Sequence, residues 1–257
     1  MKIHPLGKHA PTLKKKTLQI GDFLNLSVLP TPPAAFDWSM PSGGRSLVYG
    51  MDGNDKWGDC VFASACHHIG TWSGNTGGEQ IATEADALGA YTAFTGFNPA
   101  DPATDNGASM LITATQWRTK PIFNHTIVAF ASVDRRRLDL VAAASYLFGG
   151  IWVGWALPLA WQGADSWDVS PGGILTGKWA PASWGGHATH SPAFSPRLLG
   201  IKTWQEDMPA TIPAFTSYAD ECYALISRDV WLRLTGDRCP AGVDGMALQS
   251  ALSLVTA

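Results

Sequence analysis

Apolar and polar positions divide the chain into two halves with different periods. From Cys60 onward, Val61, Phe62, Ala65, Cys66, Ile69 and Trp72 recur at three- and four-residue spacing, which predicts a helix. Asp59, just ahead of this run, is expected to cap it. A second helix is expected over 84–95, and a third over 109–119, opened by Asp105-Asn106-Gly107. Beyond residue 126 the pattern shortens: 126–131 reads as a strand, 138–148 as a short helix and 150–157 as a strand broken by glycine. Further strands are expected near His187, over 198–204 and over 221–226. Helices first and strands later predict an α+β domain with a helical lobe over about 50–125 and a β-rich lobe over about 126–230. No internal repeat is visible.

The first 35 residues are rich in Pro, Lys and polar side chains, and they read as an extended arm with nothing in it to build a core. The domain proper is placed at 36–230, with 231–257 as a C-terminal extension. Composition supports a folded domain, because 46% of the 257 residues are hydrophobic and only 15% charged. A net charge of −3 argues against a nucleic-acid surface. Lys14-Lys15-Lys16 and Arg135-Arg136-Arg137 are read as solvated turn or strand-edge charges. The 12 tryptophans suggest a core or groove walled with flat side chains. No apolar run precedes residue 25 and none approaches the ~18 residues of a membrane span, so neither a signal peptide nor a span is expected. A cytoplasmic or particle-associated location follows. Cys60, Cys66, Cys222 and Cys239 lack metal-site or disulfide-scaffold spacing and suggest a reducing compartment, with a Cys222–Cys239 bridge left open.

Cys60 carries the main chemical interest. A thiol in the first turn of a helix sits at the positive end of the helix dipole, which favours thiolate, and the adjacent backbone N–H groups can hold an oxyanion. A carboxylate at Asp59 acts against thiolate unless its charge is taken up by capping. The other reading of Cys60 is a packed, inert thiol. His187 follows Trp184-Gly185-Gly186 at the mouth of an expected strand, where an imidazole could face a helix-start nucleophile. His190, three residues on, should point to the opposite face. His67 and His68 lie about two turns from Cys60 and, being adjacent, do not share a helical face. With Cys66 they do not make up a metal site, so no metal or cofactor is expected. His4, His9 and His125 read as surface or loop residues.

The order of segments then becomes recognisable. Pro33-Ala34-Ala35-Phe36-Asp37-Trp38, Cys60 at a helix start followed by Ala63-Ser64, Asp105-Asn106-Gly107, Gly150-Ile151-Trp152-Val153, Gly186-His187-Ala188, Ile201-Lys202-Thr203-Trp204 and 218–227 succeed one another over about residues 30–230. This resembles the papain-like cysteine protease superfamily, and within it a poorly characterised bacterial and phage branch with an Asn-Asp-x-x-Gly-Asp-Cys sequence. The resemblance implies a two-lobed papain-like fold, Cys60 as nucleophile, His187 as base, Asn54 in the place of the oxyanion-hole Gln, and Thr203 in the place of the Asn that orients the histidine. It also implies that Gly107 and Trp204 border the substrate. Departures are plain: Asp59 precedes the nucleophile, Asn54 is a methylene shorter than Gln, and Thr203 replaces Asn.

Two functions follow as expectations. One is a thiol hydrolase cleaving peptide or related amide bonds. The other is a papain-fold structural or binding module holding a protein partner, for example in a phage particle or secretion apparatus.

Overall fold

The computed structural model describes residues 4–12, 17–27, 29, 31–41 and 44–227. Lys14-Lys15-Lys16, Cys239 and the 231–257 extension lie outside them.

The helix expected at Cys60 is α1 (Cys60–Asn75), buried on every side from Cys60 to Ser73. A helix without a polar face belongs inside a domain, and this one is the central post of the molecule. Trp152 donates its indole N–H to Ser64 (2.7 Å) and Trp72 donates to the Phe148 carbonyl (2.8 Å), fixing α1 against its neighbours. Helix α2 (Glu84–Thr95) opens on a reciprocal box in which Thr83 and Asp86 each cap the other's backbone N–H. Helix α3 (Met110–Trp117) starts from a Ser109 cap, and α4 is Leu138–Phe148.

Strands β1 (Phe36–Asp37), β2 (Ile127–Ser132), β3 (Ile151–Leu157), β4 (Gly185–Phe194), β5 (Leu198–Thr203), β6 (Glu206–Thr211) and β7 (Ala219–Ser227) form one antiparallel sheet. Its order is β2-β7-β3-β4-β5-β6, with β1 joining β4 where β3 has ended. Helix α5 (Ile212–Tyr218) connects β6 to β7. Helix α1 lies across β4, so a helical layer with its catalytic candidate faces a sheet with its histidine. The α+β expectation holds.

Several local expectations fail for identifiable reasons. Asp59 does not cap α1: its side chain makes no cap hydrogen bond and is fully buried. Gly154 does not break β3, which runs through it. Hairpin strand β6 and helix α5 were not foreseen. The first 35 residues do contribute to the core, since Ile20, Leu24 and Leu29 are buried in it. Cys222 is a buried free thiol. No described tryptophan is exposed; Trp117, Trp152, Trp155 and Trp167 are among the most deeply buried side chains.

Candidate active site

Cys60 opens α1, and its buried thiol feels the backbone N–H groups of Ala188 and Gly7, both of which favour thiolate. Ala188 follows His187 on β4, which places the start of α1 against that strand. His187 is buried, with Nε2 2.7 Å from Thr203 Oγ1 and its ring stacked on Trp204 at 4.2 Å and 17°. Its Nδ1 is buried and makes no hydrogen bond. His190 instead faces α1, with Nε2 2.7 Å from Thr71 Oγ1 and its ring 3.8 Å from that of His68. His67 reaches the Gly50 carbonyl (3.0 Å) and Asp52 (3.2 Å). No group of potential metal ligands occurs among the described residues.

The hairpin turn between β5 and β6 holds Trp204 in place. Thr203 pairs with Glu206, leaving Trp204-Gln205 as a two-residue loop with φ of +48° and +61°. Such turns favour Asn-Gly, and a large L-residue in this region costs about 1–2 kcal/mol. Packing offsets the strain, for the indole lies between His187 and His4, the latter at 4.8 Å and 14°.

A tyrosine–aspartate pair that the sequence did not reveal connects the two helical walls of the cleft. Asp105 accepts from the Gly58 N–H (3.1 Å to each oxygen) and from the Tyr91 hydroxyl (2.7 Å). Tyr91 Oη in turn accepts from the Gly107 N–H at 2.7 Å. Asn54 is buried, and its Oδ1 has no hydrogen-bond partner.

The cleft is filled by the chain's own arm. Lys8 N–H donates to Gly186 O (3.1 Å), Ala108 N–H to Gly7 O (2.7 Å) and His9 N–H to Ala108 O (2.9 Å), so the arm pairs in parallel with the segment at Ala108. Gly107, at φ +73°, leaves this path open: a Cβ there would stand 1.9 Å from Gly7 O. Gly7 is equally constrained, because its own Cβ would meet Gly58 O at 1.7 Å. The His4 reading changes accordingly. His4 is a stacking partner of the site, and Lys8 is a buried cleft residue.

With the arm seated, both reactive candidates are neutral. Burial pushes the Cys60 thiol up to about 11, against the pull of the Ala188 and Gly7 N–H groups, and Asp59 adds to the rise. Burial drives His187 down to about 3, helped by positive charge at His4 and Lys8. Asp59 has no partner for either oxygen, and burial raises it well above the usual carboxylate range.

This fold is papain-like. No protein-family model and no curated protein matches the chain. Among solved structures, xylellain, a cysteine protease from Xylella fastidiosa, superimposes with a TM-score of 0.65 at 14% identity, covering 86% of this chain and 95% of that one. The proform of Amb a 11, a cysteine protease and major ragweed pollen allergen, gives 0.53 at 14% identity, over 83% and 72%. A Carica candamarcensis cysteine protease gives 0.50 at 12% identity, over 76% and 98%. No helix among the described residues is long and apolar enough to cross a membrane.

Proposed function

We propose that the protein is a papain-like thiol hydrolase that cleaves peptide or related amide bonds. The observation that carries this reading is the setting of His187. Thr203 engages Nε2, Trp204 fixes the ring plane, and Nδ1 is left unengaged, next in the chain to Ala188, whose backbone N–H favours the Cys60 thiolate. In this reading Nδ1 takes the thiol proton, and the sulfur attacks the substrate carbonyl. The Cys60 backbone N–H and the Asn54 amide hold the resulting oxyanion. The imidazolium then gives its proton to the departing amine, and water, deprotonated by the same ring, hydrolyses the thioester and restores the thiol. Gly107 presents backbone to the substrate, and Trp204 borders it.

Substrate enters once the arm leaves, because the arm's backbone occupies the hydrogen-bonding positions on both walls. The competing reading, a papain-fold binding module, rests on Asp59 beside Cys60 and on the absent Asn; Thr203 stands 2.7 Å from His187 Nε2 in that Asn's place and no described tryptophan is exposed, whereas the buried, uncapped Asp59 still speaks for it. The test is digestion of an unfolded protein such as reduced casein by full-length Gly7→Ala, in which the arm cannot reseat. Cleavage that disappears in Gly7→Ala/Cys60→Ala supports the proposal; absence of cleavage, or cleavage that survives loss of Cys60, refutes it.

A further inference from the structure

Lys8 is the most unusual charged residue in the molecule: its side chain is 0% exposed, yet it belongs to an arm lying in a cleft. Its ammonium lies 2.9 Å from Asp220 Oδ1, 3.0 Å from Asp220 Oδ2 and 3.3 Å from Glu221 Oε1, and it donates to the His9 carbonyl at 3.0 Å. Consecutive strand residues ordinarily face opposite sides of a sheet. Here both carboxylates reach one ammonium because β7 bulges. Gly154 pairs with Glu221 but the next β3 residue, Trp155, pairs with Ala219, so Asp220 is the extra residue. Bulges of this kind re-aim side chains.

The rest of the pocket is shaped for a long basic side chain. Gly154 supplies the space for the stem: a Cβ at that position would stand 2.2 Å from Lys8 Cε and 2.8 Å from Met110 Sδ. Glu221 is held in position by the Tyr223 hydroxyl, which donates to its other oxygen at 2.7 Å. The acidic pair also borders an open groove of about 540 Å³, lined by Leu111, Val133 and Arg135 and by Pro11 and Thr12 of the arm itself. Two carboxylates aimed at one point and partly removed from water are costly without a cation between them, so the site demands one.

We propose that the pocket formed by Gly154, Met110, Asp220 and Glu221 is a specificity pocket for a lysine or arginine side chain of the substrate, and that Lys8 fills it in cis. The choice of substrate rests on the hydrolase reading; the choice of side chain rests on the pocket alone. A peptide entering after the arm has left would place its basic residue where Lys8 lies now, with the backbone beside Gly186 O.

The test separates the two readings. Full-length Gly7→Ala/Cys60→Ala is titrated with a synthetic peptide of residues 4–12 and with the same peptide carrying norleucine in place of Lys8, following tryptophan fluorescence. The lysine peptide is expected to bind at least about tenfold more tightly, as for removal of one partner of a buried charge pair. That preference should vanish in Asp220→Asn/Glu221→Gln. Equal binding of the two peptides, or binding of neither, overturns the pocket. Cleavage sites of Gly7→Ala on a peptide library form the second readout. Cleavage without enrichment of Lys or Arg at a fixed position overturns the pocket and leaves the hydrolase standing; lysine-selective binding with no cleavage does the reverse. Should Gly7→Ala not fold, Lys8→Glu sets a third carboxylate against the pair and displaces the arm by charge.

Discussion

Gly7→Ala should raise the reactivity of one thiol among several, by an amount that follows from the cleft. The new methyl would stand 1.7 Å from the Gly58 oxygen and 2.3 Å from its carbon, both backbone atoms that cannot rotate away. The arm must therefore lift, and Cys60 is hydrated. Its thiol should fall from about 11 toward the ordinary value of 9.0. That two-unit fall raises the thiolate fraction at neutral pH about a hundredfold. Intrinsic nucleophilicity drops with basicity, which returns about a factor of ten, so ionisation alone leaves about a tenfold gain before improved access is counted. The assay is iodoacetamide labelling at neutral pH, with each cysteine followed by mass spectrometry. Cys66, buried within α1, serves as the internal reference and should stay slow. If Gly7→Ala and Lys8→Glu both label Cys60 at the wild-type rate, the arm is not what keeps the thiol silent.

Thr203→Val removes the hydroxyl 2.7 Å from His187 Nε2 and leaves a buried nitrogen unpaired, which should cost about 1–3 kcal/mol in urea denaturation and lower the activity of the Gly7→Ala protein. Tyr91→Phe deletes the bridge between Asp105 and the Gly107 N–H, and should cost a similar amount by the same measurement. Stability should fall in acid through His68, His187 and His190, all fully buried and all lowered from 6.5, the first two to about 3. The unfolded chain binds protons on them below 6.5 and the folded chain does not, so their contribution is complete above that pH and is lost on acidification; at pH 5 His68 and His187 each cost about 2 kcal/mol. Asp59 has the opposite sign, since its raised value makes the folded state bind a proton more readily, so Asp59→Asn should improve stability at alkaline pH and steepen the acid loss of the melting temperature.

The elements with strong periodicity were legible: α2 and α4 start and stop where the apolar pattern places them, and α1 starts at Cys60 but runs past Trp72, the last apolar position of the pattern, to Asn75. Segments containing proline were not. Pro209 lies inside β6 and Pro213 in the first turn of α5; proline obscures a strand pattern, whereas a helix start accommodates it. At the site, Thr203 and Trp204 could be placed through the resemblance to papain-like proteases, whose order of segments sets their spacing from His187. Lys8 could not, for its partner Asp220 lies 212 residues away and depends on a bulge that no local pattern encodes. Asp59 shows the reverse error: a residue type suited to capping was assigned that role, whereas burial beside the Gly53 turn took precedence.

The central claim is that Cys60 and His187 act as one acid–base pair once the arm is gone. Thiolate absorbance of full-length Gly7→Ala, titrated against pH, tests it directly, with Gly7→Ala/His187→Ala alongside. The account predicts a Cys60 thiolate signal that persists below the ordinary cysteine value of 9.0 and disappears at neutral pH when His187 is replaced. A thiolate curve with the same midpoint in both proteins would contradict it.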